Sequence, residues 1–376
     1  MEADEKYHLS ETFLAESHAN LDCFDCHDGT AGEAEKEAAH ADLVGDPSDA
    51  PAAQNVCAEC HQRTAGNYEQ SLHYTMKGYD TLFEARSGMS ATDSNYQTAF
   101  NNHCYGCHVS CGQCHISRPD AVEGGLVSEH AFMAIPSQND QCTACHGSRI
   151  NDEYKGIHVG LRPDVHYLAG MNCMDCHDGI ELHGNGVTPE KRRDAYNRPT
   201  CAGCHPGPDA GDDGIAHHGL HAGLVDCPVC HSQPYRNCYQ CHVGASGGKT
   251  HGIQFPSELD FRIGKNPIPS ASRPWDWVLL RHIPVYPEMY EAYGISTLAT
   301  FDALETWKYA TPHNIRRTTT QTESCANCHG EDGRFLTAAY VDSLITAGKM
   351  VSAEISANSE VITDPPALPG MSARRK

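Results

Sequence analysis

Every cysteine of this 376-residue chain belongs to one pattern, Cys-x-x-Cys-His, which occurs ten times. Two thiols three residues apart can form thioether bonds to the two vinyl groups of one haem, and the histidine that follows can bind its iron as the proximal ligand. The pattern therefore predicts ten haems c, each carrying one iron. The expected attachment residues are Cys23, Cys26, Cys57, Cys60, Cys104, Cys107, Cys111, Cys114, Cys142, Cys145, Cys173, Cys176, Cys201, Cys204, Cys227, Cys230, Cys238, Cys241, Cys325 and Cys328. The expected proximal ligands are His27, His61, His108, His115, His146, His177, His205, His231, His242 and His329.

Zinc sites and disulfides are the other common uses of paired cysteines. Zinc knuckles also contain Cys-x-x-Cys, but zinc does not require a histidine directly after every second cysteine. A secreted chain with 20 cysteines could hold a disulfide framework, but ten identical pairs at the same short spacing are not typical of one. We therefore expect haem rather than zinc or disulfides.

The remaining fifteen of the 25 histidines are candidates for the second axial position. A low-spin electron-transfer haem needs a distal ligand, and fifteen histidines are enough for ten irons. Three similar segments, HANLDCFDCH, HYLAGMNCMDCH and HAGLVDCPVCH, each place a histidine shortly before an attachment motif. Methionine is the alternative distal ligand, but histidine is in surplus. The expected distal ligands are His18, His40, His73, His130, His166, His183, His218, His221, His282 and His313.

A second metal site is a weaker expectation. The segment DAGDDG, with Asp209, Asp212 and Asp213, could bind a calcium ion, although it lacks the twelve-residue loop pattern of calcium-binding hands. A solvated acidic turn is the alternative interpretation.

The elements that position these residues are expected to be short. Only 39% of the residues are hydrophobic, with 9 Phe and 3 Trp, so the porphyrins themselves should fill the interior. The 33 Gly and 21 Pro break the chain often. We expect a mostly irregular multihaem fold with short α-helices and little β-structure, in which the haem chain forms the core. Helices are expected near residues 12–20, 68–77, 94–103, 290–305 and 337–351, and the best strand candidate is WDWVLLRHIPVY.

The spacing of the motifs divides the chain into three regions. Residues 1–242 should wrap nine haems, residues 243–324 should form a haem-free arm that donates distal histidines, and residues 325–376 should hold the tenth haem and a C-terminal tail. Only Val109 and Ser110 separate the third and fourth motifs, which should bring those haems into near contact.

Charge and hydropathy exclude several classes of protein. The chain has 27 Lys and Arg against 49 Asp and Glu, for a net charge of −22, which disfavours nucleic acid and anionic membranes as partners. No run approaches 18 apolar residues, so no transmembrane segment is expected. Haem c is attached outside the cytoplasm, and we expect an exported chain whose numbering starts after a removed signal peptide.

The chain resembles the multihaem c-type cytochromes of anaerobic, metal-respiring or syntrophic microbes. The resemblance rests on the ten motifs and on runs such as CYGCHVSCGQCH, VCHSQPYRNCYQCHVG and WKYATPHNIRR. It implies a decahaem electron carrier rather than an enzyme, which acts in anaerobic respiration by extracellular electron transfer, either outside the cell or at its surface. Other redox proteins and mineral or cell-surface electron acceptors are the implied partners. Some members of this class polymerise into filaments, so self-association into a homo-oligomer or nanowire is also implied.

Two other functions remain open at this point. A multihaem reductase or oxidase of a small nitrogen or sulfur compound would need one iron with an open position, and the chain has no Cys-x-x-Cys-Lys motif of the kind that some of these enzymes use. The chain could also be a periplasmic component of a porin–cytochrome conduit, which would need a barrel partner.

Overall fold

The computed structural model describes residues 11–48, 52–211, 213–234, 243–246, 249–252, 260–283, 285–330 and 333–366. The chain groups into two compact units, each assembled from separate stretches of sequence. The first unit comprises Met1–Thr81, His103–Gly147 and Asn172–Arg198. The second unit comprises Leu82–Asn102, Ser148–Met171 and Pro199–Lys376. Six of the ten attachment motifs fall in the first unit and four in the second.

Short helices dominate the structure: about 45% of it is helical and 7% is strand, as the sequence predicts. The α-helices up to residue 183 are Glu11–Leu14, Cys23–His27, Lys36–Ala39, Ala52–Tyr68, Leu72–Thr75, Lys77–Ser87, Ser94–His103, Cys111–His115, Thr143–His146, Asp152–Lys155, Val165–Leu168 and Gly179–His183. The later ones are Cys201–Cys204, Pro206–Ala210, Ala216–His221, Cys227–His231, Ala326–His329, Ala338–Thr346 and Glu354–Ala357. In the part of the chain that the structure describes, no helix combines the length and the apolar character that a membrane crossing needs.

Several of these helices begin at the first cysteine of an attachment motif. A side chain just before the first cysteine accepts a backbone hydrogen bond and so caps the turn. Ser110 accepts from the N–H of Gln113, and Thr200 accepts from that of Gly203. Side chains three residues apart lie on one face of a helical turn, so the turn presents both thiols of a motif on the same side.

The second unit contains a three-stranded antiparallel sheet with the order Arg262–Lys265, Trp277–His282, Trp307–Tyr309. Leu280 lies opposite Arg262 on one side and Tyr309 on the other. The central strand lies within the predicted strand candidate and is almost wholly buried. A separate two-stranded hairpin pairs Val243–Ser246 with Lys249–Gly252.

The two units differ in what fills their interiors. All three clusters of buried hydrophobic side chains found among the described residues lie in the second unit. The largest packs Val278, Leu280 and Trp307 against Leu336 and the helix Ala338–Thr346. The first unit, which carries six attachment motifs, has isolated buried groups such as Tyr68 and Met76 instead. We therefore expect the groups attached to its cysteines to fill the interior of the first unit.

One predicted helix is wrong. Residues 290–305 form only two short 3-10 turns, Glu291–Tyr293 and Phe301–Ala303. Gly294, with a φ of +84°, ends the first turn in the left-handed conformation, and the Leu298 N–H then bonds to the Pro287 carbonyl. The apolar residues that suggested a helix are buried as a loop, because Ile295, Leu298 and Phe301 pack against Phe83 and Tyr96.

Candidate haem-iron centres

In the part of the chain that the structure describes, seven pairs of histidine rings lie at a nearly constant distance from each other. In the first unit the ring centroids lie 6.3 Å apart for His18 and His61, 6.0 Å for His27 and His130, 6.2 Å for His73 and His146, and 6.1 Å for His115 and His183. In the second unit they lie 6.2 Å apart for His166 and His205, 5.9 Å for His218 and His231, and 6.4 Å for His221 and His329.

This distance is the one that a shared iron requires. With metal–nitrogen bonds of about 2.0 Å and a ring centre about 1.2 Å beyond each nitrogen, two imidazoles on opposite sides of one metal ion would have centroids roughly 6.4 Å apart. Each of the seven pairs joins one histidine of an attachment motif to one of the expected distal histidines. The described residues thus fit haem iron in both the donor type and the spacing.

Three other expected distal histidines have described contacts of a different kind. The His40 Nδ1 lies 2.7 Å from the Lys36 carbonyl oxygen at the end of a short helix. The His282 Nε2 lies 2.7 Å from Glu354 Oε2 inside the second unit, where both side chains are 3% exposed. The backbone N–H of His313 donates to Glu153 Oε1.

The histidines of the other attachment motifs contact different groups. His108 stacks on Tyr105 at 5.1 Å and lies 5.3 Å from the Tyr74 ring. The His177 Nδ1 lies 2.7 Å from Glu181 Oε2. The ninth motif, Cys238, Cys241 and His242, lies outside the described residues.

The expected calcium site is only partly described. Asp212 and the Asp209 side chain fall outside the described residues, and Asp213 Oδ2 lies 2.6 Å from the His218 Nδ1. Among the side chains that the structure does describe, no group of three or more His, Cys, Asp or Glu is arranged around a common metal position.

Two of the paired imidazoles have a lowered pKa, which favours the neutral form that binds a metal. Burial is the main reason that the pKa of His73 is lowered to about 4, and the nearby His146 adds to the effect. The pKa of His183 is also lowered, mainly by burial and to a smaller extent by His115. The hydrogen bond that the His177 Nδ1–H donates to the Glu181 carboxylate has the opposite effect and raises the pKa of His177.

Thiols from different motifs meet in the first unit. Cys57 and Cys111 share a hydrogen bond that raises the pKa of Cys57 and lowers that of Cys111 to about 7. A second such hydrogen bond, between Cys107 and Cys145, lowers the pKa of Cys107 to about 6.

Two further contacts extend this pattern. Cys142 and Cys173 also share a hydrogen bond, which raises the pKa of Cys173. In the second unit, burial and then the nearby Cys328 raise the pKa of Cys230 to about 11. Motifs that are distant in sequence are therefore neighbours in space.

The sequence motifs did not predict the groups that orient the imidazoles through their Nδ1 atoms. The Nδ1 atoms of His27, His115 and His231 lie 2.6–3.0 Å from the backbone carbonyls of Val44, Met133 and Arg316. Three other Nδ1 atoms meet carboxylates, those of Asp164, Glu181 and Asp213. Each carboxylate is within five residues of its histidine, so the local sequence held a signal for these three, whereas the carbonyl partners depend on tertiary packing.

Comparisons with known proteins identify similar cytochromes. A family model described as cytochrome c554 and c-prime matches residues 56–147. The multiheme cytochrome MtrA of Shewanella baltica (strain OS185) is 26% identical over 126 residues, a match that spans 30% of this chain and 37% of that protein. No solved structure gives a significant match. Together with the repeated attachment motif, these matches make the chain similar to multihaem c-type cytochromes.

Proposed function

We propose that this chain is a decahaem electron carrier in which irons held between two histidines pass electrons from one to the next. The observation that carries the proposal is the set of seven histidine pairs with ring centroids 5.9–6.4 Å apart. When bound, each haem supplies an iron that accepts one electron from a reduced partner, as Fe(III) becomes Fe(II), and returns it to an oxidised partner. The seven described pairs of imidazoles would hold such an iron from both sides and would leave no position there for a substrate.

The remaining ligands follow from the same reasoning. We assign the distal histidine of each of the seven pairs as an axial ligand. His40 and His313 stay candidates for the motifs of His108, His177 and His242. His282 is left out, because its Nε2, the nitrogen through which haem ligands usually bind, is held by Glu354. It is better explained as a structural histidine.

The proximity of the thiols supports conduction between neighbouring sites. Because Cys57 contacts Cys111 and Cys142 contacts Cys173, haems attached to these motifs would lie close together. Neighbouring haems would then include some whose motifs are not consecutive in sequence, as at Cys57 and Cys111.

We further propose that the carrier works outside the cytoplasm in anaerobic respiration. It would exchange electrons with other redox proteins and with mineral or cell-surface acceptors, as an extracellular protein or, alternatively, in the periplasm. Self-association into a filament would extend the path between subunits.

Removal of one ligand tests the assignment. The oxidised holoprotein is expected to contain ten haems and to show only low-spin ferric iron by electron paramagnetic resonance. His221→Ala should convert about one tenth of the iron to the high-spin form, because it opens the position opposite His329. The matched control is His217→Ala in the same helix, which should leave all iron low-spin. A His221→Ala protein that stays wholly low-spin would contradict the pairing, and high-spin iron in the unmodified protein would favour an enzyme with an open haem.

A further inference from the structure

The imidazoles of the candidate iron centres differ in what holds their second nitrogen. Backbone carbonyls face the Nδ1 of His27, His115, His221 and His231. Carboxylates face the Nδ1 of His166, His177 and His218, at 2.8, 2.7 and 2.6 Å. The difference is one of charge, since a carboxylate attracts the Nδ1 proton more strongly than a neutral carbonyl does.

Asp164 is the most firmly held of the three carboxylates. Its side chain is 2% exposed, and its Oδ1 accepts from both the Nδ1 and the backbone N–H of His166. Its Oδ2 accepts from the backbone N–H of Ile315 at 2.5 Å. Among the described residues no Lys or Arg forms an ion pair with Asp164, and the nearby Arg316 guanidinium instead donates to the Pro163 carbonyl.

The short helix Ala216–His221 carries two histidines whose Nδ1 atoms have different types of partner. His218 faces the carboxylate of Asp213, and His221, one turn later, faces the carbonyl of His217. Asp213 is fixed in turn, because its Oδ1 accepts from the backbone N–H of Ile215. Two iron ligands on one helix are thus given different electron-donating strength by their own neighbours.

A carboxylate partner changes the ligand in a predictable direction. Partial transfer of the Nδ1 proton toward the carboxylate increases the negative charge on the imidazole, which makes its other nitrogen a stronger donor. A stronger donor, with an anionic group nearby, stabilises Fe(III) relative to Fe(II) and lowers the reduction potential. Burial strengthens the effect, because charges interact more strongly in a low-dielectric interior.

We propose that Asp164, Glu181 and Asp213 are positioning residues that lower the reduction potentials of three irons, those at the motifs of His205, His177 and His231. This inference rests on the proposed axial pairing. It gives these three irons, each of which has at least one carboxylate-held ligand, lower potentials than irons such as those of His27 and His115, whose described Nδ1 partners are backbone carbonyls. Electrons would therefore reside preferentially on irons of the second kind, and transfer to the three irons with a carboxylate-held ligand would be uphill.

The test uses isosteric variants of the holoprotein that remove only the charge. Asp164→Asn, Glu181→Gln and Asp213→Asn should each shift one of the one-electron components of a spectropotentiometric titration upward. The expected change is about tenfold in the equilibrium constant for reduction, or about 59 mV for a one-electron couple. Asp93→Asn is the control, because the Asp93 carboxylate caps backbone N–H groups of Asn95 and Tyr96; it should leave the titration unchanged.

The outcomes separate this inference from the axial pairing. If His166→Ala produces high-spin iron but Asp164→Asn and Asp213→Asn leave every potential unchanged, the inference is overturned and the pairing stands. If His166→Ala leaves all iron low-spin, His166 is not a ligand, and both fail at that site. Asp213 is partly exposed, so its variant provides the measurement even if Asp164→Asn does not fold.

Discussion

Histidines of very different roles coexist in this chain, and His282 shows how the surroundings distinguish them. Its Nε2 faces Glu354 Oε2, which also accepts from the Thr306 hydroxyl, and the other oxygen of Glu354 accepts from the Val351 N–H. The ring lies 5.4 Å from Trp307 in the interior of the second unit. The four groups form a closed polar network in a hydrophobic setting, where an unpaired member would be costly.

We therefore expect His282→Ala to destabilise the protein and to leave its irons unchanged. Loss of the imidazole leaves Glu354 without one partner in a buried site, which should lower the free energy of unfolding by about 3 kcal/mol. Denaturant unfolding measures the stability, and electron paramagnetic resonance counts the low-spin iron. New high-spin iron in His282→Ala would show that His282 is a ligand after all.

The local chemistry of the ligands could be predicted from sequence far better than their partners. The motif fixes the attachment residues because thioether formation and iron binding are local, and histidines near motifs gave the expected distal set. The sequence could not show that His27 faces His130 or that His115 faces His183, because these pairs form through tertiary packing. His282 was expected as a ligand because no local pattern reveals that Glu354 holds its ring.

Among the elements, the attachment turns depend on close backbone approach as well as on capping. In the helix Cys111–His115, the Gly112 N–H donates to the Ser48 carbonyl, and the Ser110 hydroxyl donates to the same oxygen. A Cβ added at Gly112 would lie 2.0 Å from Ser48 Cβ and 2.5 Å from its carbonyl oxygen. Only glycine allows the two backbone segments to meet here.

Gly112→Ala should accordingly displace this turn and lower the free energy of unfolding by about 1–3 kcal/mol, the usual cost of overpacking. Gly106→Ala is a matched control, because Gly106 lies in the preceding attachment motif and has no atom within 4 Å of the added Cβ. Thermal unfolding of the two holoproteins, followed by circular dichroism, gives the comparison. Equal melting temperatures would mean that the contact between Gly112 and Ser48 does not constrain the fold.

Strand and loop positions illustrate where sequence patterns succeed at this scale. The run of bulky apolar residues over Trp277–His282 predicted a strand correctly, since the central strand of a covered sheet is buried on both faces. A similar apolar density over residues 290–305 predicted a helix wrongly, because Gly294 and the packing of Phe301 against the Phe83 cluster favour a compact loop.

At the scale of the whole molecule, the two units should respond differently to loss of haem. The second unit has three clusters of buried hydrophobic side chains, whereas the first unit has six attachment motifs and isolated buried groups. We expect chain produced without haem attachment to keep protected amide hydrogens in the sheet strands Arg262–Lys265 and Trp277–His282 and to lose protection throughout the first unit. Hydrogen–deuterium exchange with mass spectrometry measures both. Retained protection around Ala52–Tyr68 in haem-free chain would contradict a porphyrin core in the first unit.

Self-association into filaments is the property of the whole molecule that charge should control most directly. A repeating contact between identical subunits must be heterologous and open, so it brings together copies that each carry a net charge of −22. Repulsion between such subunits falls when salt shortens the screening length, from about 30 Å at 0.01 M to about 8 Å at 0.15 M ionic strength. Filaments should therefore be absent at low ionic strength and appear on negative-stain grids as salt is raised at constant protein concentration. Light scattering on the same samples provides the control against drying artefacts. Discrete particles of constant mass across the whole salt range would rule out the filament and leave a carrier that acts as separate molecules.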